Sequence, residues 1–117
     1  MRTTNLRRHV RMNSNYRKVL STSKNMQIVI MSLKPGESIP LEVHNDTDQL
    51  FYVISGKMGV ITGRSKKSKH LLAAGCAYIV NMRTYHTVRN VGKVPLKFYT
   101  VYSPPHHRRG LIQKSAR

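Results

Sequence analysis

The amino-acid sequence predicts an all-β domain built as a sandwich or a barrel. Short segments rich in β-branched and aromatic residues recur along the chain, separated by glycine, proline and asparagine turns. No stretch of about 12 residues repeats its apolar residues at the 3.6-residue period of an amphipathic helix. The chain has 117 residues, of which 39% are hydrophobic. It is therefore long enough for one domain with one modest core.

The predicted strands follow each other at the regular spacing of a sandwich or barrel, and we expect about seven to nine of them. Folded chain begins at Tyr16 to Leu20, and the next strand, Met26 to Leu33, ends at the turn Pro35-Gly36. A charged hairpin loop is expected at residues 63–69. The remaining predicted strands cover residues 38–44, 50–55, 57–62, 70–72, 77–80, 85–89 and 96–102.

The two ends of the chain differ in composition from the middle. Residues 1–12 carry four arginines and are interpreted as a basic N-terminal arm, residues 13–105 as the folded domain, and residues 106–117 as a basic C-terminal tail. The arm also has the composition of an organellar targeting segment, although folded chain begins soon after it. A cytoplasmic location, or one inside a virion or nucleoprotein particle, is the preferred interpretation. No apolar run is long enough to span a membrane.

The single cysteine, Cys76, cannot form an internal disulfide, which favours a reducing compartment. Because it lies in a run of small and apolar residues, we expect it to be buried rather than reactive.

The net charge of the chain is extreme. There are 21 lysines and arginines against 4 acids, a formal charge of +17. All four acids, Glu37, Glu42, Asp46 and Asp48, lie in one window without any lysine or arginine. Such a surface is expected to bind polyanions in a salt-dependent way, the alternative being a generally basic protein selected for solubility. The candidate polyanion contacts are Arg7, Arg8, Arg11, Lys66, Lys67, Lys69, Arg108 and Arg109.

Four candidate metal ligands recur at fixed spacing in two glycine-bounded segments. Side chains two residues apart on a strand point to the same face, so Glu42 and His44 can aim into one space. Gln49 and His86 can close on that space from neighbouring strands. The pattern therefore predicts a metal site inside a β-barrel, formed by Glu42, His44, Gln49 and His86.

The spacing of the two segments resembles the two motifs of the cupin family. Gly36-x5-Glu42-x-His44-x4-Gln49-x6-Gly56 is similar to Gly-x5-His-x-His-x3–4-Glu-x6-Gly. Gly75-x5-Asn81-x-Arg83-x2-His86-x3-Asn90 is similar to Gly-x5-Pro-x-Gly-x2-His-x3-Asn. Over roughly residues 13–115 the chain also resembles small single-domain cupins of the sugar-phosphate (mannose-6-phosphate) isomerase-like type. The resemblance implies a double-stranded β-helix, a jelly-roll barrel that pairs as a homodimer, and such proteins are similar to ones encoded by large DNA viruses.

The chain departs from the first motif at two ligand positions. Glu42 replaces the first histidine and Gln49 replaces the glutamate, which leaves two imidazoles, one carboxylate and one amide. This set suits a divalent Zn, Mn, Fe or Ni ion, and Gln49 would be a weak, exchangeable ligand. The alternative is a metal-free cupin whose four polar groups are satisfied by internal hydrogen bonds and water.

The second motif departs at Asn81 and Arg83, and Arg83 is expected to place a cation at the mouth of the site. Alternation along the strands puts further side chains on the ligand-bearing faces, so the predicted ligand pocket is formed by Phe51, Val53, Arg83 and Val88. Asn90 is expected to have a structural role at a strand end. His106 and His107 are not expected to form a second site, because adjacent side chains point apart and no third donor is expected nearby.

Two functional hypotheses remain open. The first is a metal-dependent small cupin, either an enzyme or a binder of a small sugar-phosphate-like ligand, with isomerisation or epimerisation implied by the resemblance and a dioxygenase reaction as the chemical alternative. No second acid–base pair is visible, so no catalytic residue is assigned. The second is a non-catalytic basic protein that contacts nucleic acid or acidic partners in a virion or ribonucleoprotein assembly.

Overall fold

The computed structural model describes residues 3–116, and within this range the chain forms ten β-strands and one short α-helix. No helix among these residues has the length and apolar character needed to cross a bilayer. The elements in chain order are α1 (Leu6–Met12), β1 (Arg17–Thr22), β2 (Gln27–Leu33), β3 (Ser38–Glu42), β4 (Asp48–Ser55), β5 (Met58–Thr62), β6 (Ser68–Leu72), β7 (Ala77–Val80), β8 (His86–Asn90), β9 (Leu96–Ser103) and β10 (Ile112–Gln113).

The strands form two antiparallel sheets. One has six strands in the order β10-β1-β2-β9-β4-β7, and the other has four in the order β3-β8-β5-β6. The all-β prediction is confirmed, and most predicted strands agree with the observed ones to within two residues. The charged hairpin loop is also confirmed, because residues 63–67 connect the paired strands β5 and β6.

The hydrophobic core lies between the two sheets. Along β9 the buried residues Leu96, Phe98, Thr100 and Tyr102 alternate with more exposed ones, as expected for a strand with one face inward. The other strands contribute in the same way, and the core cluster comprises Tyr16, Val19, Val29, Met31, Leu33, Ile39, Phe51, Val53, Met58, Val60, Leu72, Val80, Val88, Leu96, Phe98 and Tyr102.

The register of the strands gives the interior an apolar end and a polar end. At the apolar end of the larger sheet, Leu33 pairs with Leu96. At its polar end, Tyr102 pairs with Gln27 on one side and Gln49 on the other, and all three are buried. In the smaller sheet, His86 pairs with Glu42 on one side and with Thr62 on the other. Each sheet therefore places a row of polar side chains inside the barrel.

Helix α1 is absent from the sequence-based expectation, which assigns residues 1–12 to a basic arm. Its seven residues are too few to give a recognisable helical period. The Asn5 side chain caps it by accepting a hydrogen bond from the Arg8 amide (3.0 Å), and Val10 is completely buried. Residues 1 and 2 of the predicted arm and residue 117 of the predicted tail lie outside the described residues. The division into arm, domain and tail stays a prediction.

The environment of Cys76 differs from the expectation. The residue is exposed, so the prediction of a buried cysteine is wrong. It lies in the turn before β7, where its amide donates to the Ala73 carbonyl (3.1 Å) and Gly75 has φ +89°. Side chains in a tight surface turn are exposed even when they are apolar. The position of Cys76 in the turn therefore determines its exposure, and its apolar neighbours in the sequence do not.

Asn90 has the structural role expected for it at the end of β8. Its buried amide donates to the carbonyls of Leu33 (2.9 Å) and Val94 (2.8 Å), and its side-chain oxygen accepts from the Gly92 amide (2.9 Å). These bonds satisfy three backbone groups where two strands separate.

We predict that Gly56→Ala destabilises the fold more than Gly75→Ala. Both glycines have a positive φ, but an added Cβ at Gly56 would lie 2.9 Å from Leu96 Cα and from the Pro95 carbonyl oxygen, whereas Gly75 faces open space. We expect the free energy of unfolding to fall by about 1 kcal/mol for Gly75→Ala and about 2–4 kcal/mol for Gly56→Ala, measured by urea denaturation. Equal losses would show that the close backbone approach at Gly56 has no energetic weight.

Candidate metal centre

Glu42, His44 and His86 come together at the polar end of the barrel. One ligand atom from each lies within 4.8 Å of the other two. The Glu42 Oε1 atom is 3.3 Å from His44 Nε2 and 3.5 Å from His86 Nε2. Both imidazoles are buried, while the Glu42 side chain is 29% exposed. The cluster is therefore held inside the barrel and reaches the surface on the Glu42 side.

A β-bulge in β3 turns Glu42 inward. Ile39 pairs with Val88 and Glu42 pairs with His86, so three steps along β3 match two steps along β8. Simple alternation from the buried Ile39 would bring Leu41 inward, but Leu41 is 54% exposed. Pro40 within the bulge has no amide to donate to the ladder, which suits an interruption of pairing at this point. The extra residue therefore exchanges an apolar side chain for a carboxylate on the inner face.

The His86 ring is oriented by a hydrogen bond from outside the cluster. Its Nδ1 lies 3.0 Å from the Thr84 carbonyl oxygen. Because a carbonyl can only accept, Nδ1 carries a proton and Nε2 is the ring nitrogen that faces the cluster. Thr84 is fixed in turn, since its amide donates to the Asn81 carbonyl (3.2 Å).

Three of the four candidate ligands carry a buried polar atom that lacks a hydrogen-bond partner. Among the described residues only four buried side-chain nitrogen or oxygen atoms lack a partner, and His44 Nε2, His86 Nε2 and Gln49 Oε1 are three of them. Gln49 Nε2 donates to Thr100 Oγ1 (2.9 Å), which leaves Oε1 free to accept a metal or a donor. Unsatisfied buried groups are rare and costly, so their concentration here fits a metal-ligand set.

Comparison with known proteins agrees with this fold. Residues 29–102 match the family model for the cupin domain. The chain belongs to the cupin family. It is 32% identical to BH2720 from Bacillus halodurans, with a TM-score of 0.93 over 96% of this chain and 87% of that one. The predicted cupin jelly-roll fold is thereby confirmed.

Two sequence relatives of this cupin come from very different organisms. It is 39% identical over 109 residues to the uncharacterised protein L612 of Acanthamoeba polyphaga mimivirus, which covers 92% of this chain and 68% of that protein. It is 35% identical over 114 residues to the uncharacterised protein YrkC of Bacillus subtilis, covering 95% of this chain and 61% of that protein. The sugar-phosphate isomerase-like subtype and the virion location stay predictions.

The carboxyl of Glu42 is held in its charged form. Burial by itself would raise its pKa, but the contacts with His44 and His86 outweigh burial and hold the pKa well below its usual range. Glu42 is also the one acid of the four that belongs to this cluster among the described residues. Glu37 and Asp48 accept hydrogen bonds from the backbone amides of Lys34 (2.7 Å) and Met82 (2.8 Å) and so stabilise turns.

The tail histidines lie beside the cluster, which corrects the expectation that no further donor is near them. The ring centroids of His106 and His44 are 4.2 Å apart, and the His106 ring also stacks on Tyr102 at 5.3 Å and 26°. Burial lowers the pKa of His106 and lowers that of His107 to about 4, and burial raises the pKa of Tyr102. Sequence reasoning missed this approach because the tail reaches the site only through the tertiary fold.

The residues predicted to form the ligand pocket occupy different depths. The Phe51 ring is completely buried with its centroid 6.2 Å from that of His86. Val53 and Val88 are also completely buried and belong to the core cluster. Arg83 is exposed with φ +66°, and its amide donates to the His44 carbonyl (2.6 Å). A role for these four residues in ligand binding stays a prediction.

The candidate polyanion contacts are all at the surface. Arg7, Arg8 and Arg11 lie on α1, and Lys66, Lys67 and Lys69 lie on the β5–β6 hairpin. Arg108 and Arg109 directly precede Gly110. All eight residues are exposed. Their exposure leaves them free to meet a partner, and their role stays a prediction.

We predict that metal-free His86 is the Nδ1–H tautomer at pH 8, because the Thr84 carbonyl requires a donor at Nδ1. Long-range ¹H–¹⁵N NMR of the histidine rings measures this directly. The exposed His9 on α1 is the matched control, and its ring should show averaged chemical shifts for the two nitrogens. A His86 ring without a proton on Nδ1 would contradict the assigned orientation.

Proposed function

We propose that this cupin binds a divalent metal ion through Glu42, His44, His86 and Gln49, and that the metal holds a small ligand at the polar end of the barrel. The observation that carries the proposal is the convergence of two buried, unpartnered imidazole nitrogens, His44 Nε2 and His86 Nε2, on the Glu42 carboxylate. No internal hydrogen bond satisfies these two nitrogens or Gln49 Oε1 among the described residues, so the metal-free alternative would need water to satisfy them.

The donor set determines which metals fit. Two neutral imidazoles with a carboxylate suit Zn, Mn, Fe or Ni, whereas Ca and Mg prefer oxygen ligands alone. Gln49 would complete the set as a neutral ligand, positioned by its hydrogen bond to Thr100. When bound, such a metal polarises a carbonyl or phosphoryl oxygen and orients the molecule that carries it.

We infer that the ligand is a small anion of the sugar-phosphate type. The exposed Arg83 lies on the turn that contacts His44, and the net charge of +17 attracts anions to the whole surface. The cluster offers no second carboxylate beyond Glu42, so ligand binding is proposed with more support than any reaction. An isomerase-like reaction and a homodimer are further predictions from the resemblance.

We predict that Zn²⁺ or Mn²⁺ at about 100 times its dissociation constant stabilises the metal-free protein by about 2.7 kcal/mol, which corresponds to about 10 °C in Tm. The double variant Glu42→Ala/His86→Ala should lose this gain, because it removes the carboxylate and one imidazole of the cluster. Differential scanning fluorimetry after treatment with a chelator measures the shift, and elemental analysis of the untreated protein gives the metal content.

The matched control for this experiment is His9→Ala, which removes an exposed imidazole on α1. It should keep the full metal-dependent shift. A wild-type protein that neither contains metal nor gains stability with any of the four ions would overturn the proposal. Titration of the metal-loaded protein with mannose 6-phosphate and with mannose then tests whether the phosphate group is recognised.

A second function is favoured by the surface charge. We propose that the cations on α1 and on the β5–β6 hairpin bind polyanions such as nucleic acid without sequence preference. No acid lies in either segment, so neither set of cations has an acidic neighbour within its own element. This role is compatible with a metal inside the barrel, since the two sites use different residues.

We predict that DNA affinity falls steeply with salt, and that two triple variants with equal charge loss both reduce this dependence. Arg7/Arg8/Arg11→Gln and Lys66/Lys67/Lys69→Gln each remove three cations, so each should reduce the magnitude of the slope of log K against log salt by about 2–3. Fluorescence anisotropy with a labelled duplex measures the slope. A weak, salt-insensitive interaction of the wild type would contradict the proposal.

A further inference from the structure

The C-terminal segment is fixed over the metal centre by one buried side chain, Gln27. The Gln27 Oε1 atom accepts hydrogen bonds from the amides of His106 (3.1 Å) and His107 (2.9 Å). Gln27 Nε2 donates to the His107 carbonyl (2.8 Å) and to Thr22 Oγ1 (3.0 Å). Gln27 is completely buried, so its amide would be costly without these partners. Three of its four hydrogen bonds hold the backbone at residues 106 and 107.

Two further contacts hold the same segment. Thr47 Oγ1 donates to the Pro104 carbonyl (3.3 Å), which attaches the segment to the loop between His44 and β4. The His107 ring lies against the Tyr102 ring, with His107 Nε2 3.2 Å from the Tyr102 hydroxyl. With the backbone fixed on both sides, His106 faces the metal cluster while His107 is engaged with Tyr102.

The His106 ring lies closer to the His44 ring than the His86 ring does. Its centroid is 4.2 Å from that of His44, compared with 5.3 Å between His44 and His86. In the present conformation no His106 nitrogen joins the set of ligand atoms that lie within 4.8 Å of one another. His106 is nevertheless one of the exposed residues, so its ring is not enclosed by the core.

We propose that His106 is an additional, exchangeable protein ligand of the metal centre, and that a small ligand takes its place on binding. The inference rests on the metal-binding function proposed above. Gln27 is then a positioning residue, because it acts on the metal only by holding the backbone of His106. Neither His106 nor Gln27 is among the four metal ligands and four pocket residues predicted from the sequence.

The test is Zn²⁺ titration calorimetry together with the visible absorption spectrum of the Co²⁺-loaded protein, whose intensity and band positions depend on the number and type of ligands. His106→Gln should weaken Zn²⁺ binding about 10-fold or more, since even loss of an outer-shell partner costs about 10–100-fold. It should also change the Co²⁺ spectrum. His107→Gln is the matched control, because it removes the neighbouring imidazole but keeps the Gln27 bonds to the backbone of residues 106 and 107. It should leave the Zn²⁺ affinity within about twofold of wild type and the Co²⁺ spectrum unchanged.

Gln27→Met gives an independent variant that leaves every imidazole in place. It removes the amide that holds residues 106 and 107, so it should shift the Co²⁺ spectrum in the same direction as His106→Gln. Circular dichroism at the temperature of the titration establishes that this variant is folded. If it is unfolded, the comparison of His106→Gln with His107→Gln decides the result by itself.

The possible outcomes separate this inference from the proposed function. If wild-type protein binds no Zn²⁺ or Co²⁺, the metal-binding function fails and the inference fails with it. If wild type binds and His106→Gln has the same affinity and spectrum, the metal centre stands and His106 is not a ligand. Equal losses for His106→Gln and His107→Gln would also overturn the inference, because they would indicate a general effect of the tail.

Discussion

The pairing of Glu42 with His86 across β3 and β8 is the constraint on which the candidate site depends. It exists because β3 carries one extra residue between Ile39 and Glu42. Without this bulge the inner face of β3 would present Leu41, and the two imidazoles would face an apolar side chain. The bulge thus converts a position of the hydrophobic core into the anionic element of a donor cluster, while the pairing on either side of it is kept.

The polar end of the barrel is tolerated because the rest of the interior is closed and apolar. Leu33 and Leu96 pair at the opposite end, and the core cluster fills the space between. The buried polar side chain of Gln27 at the polar end is satisfied within the protein. Among the described residues, three of the four unsatisfied buried side-chain atoms belong to the candidate ligands. Hydrogen bonding is therefore least complete at the candidate site.

Sequence reasoning predicted the strands from period-2 alternation and the grouping of Glu42, His44 and His86 from fixed motif spacing, and both are local properties. It did not predict the bulge, although Pro40 is a local signal for one. It missed α1, whose seven residues are stabilised by a cap and by the burial of Val10 against the sheet rather than by helical periodicity. The approach of His106 to His44 was also beyond it, since 62 residues separate them and Gln27, a third distant residue, holds the segment.

The strained backbone of Arg83, in the second motif, forms a hydrogen bond to His44, in the first motif. With φ +66° it occupies the left-handed region that favours glycine, which costs a residue with a Cβ about 1–2 kcal/mol. Its amide donates to the His44 carbonyl (2.6 Å), so this conformation fixes the backbone of a ligand residue from the turn that precedes His86. A glycine could make the same backbone bond without strain. The strain therefore results from the presence of a side chain at this position. That side chain adds a cation to the turn beside the cluster.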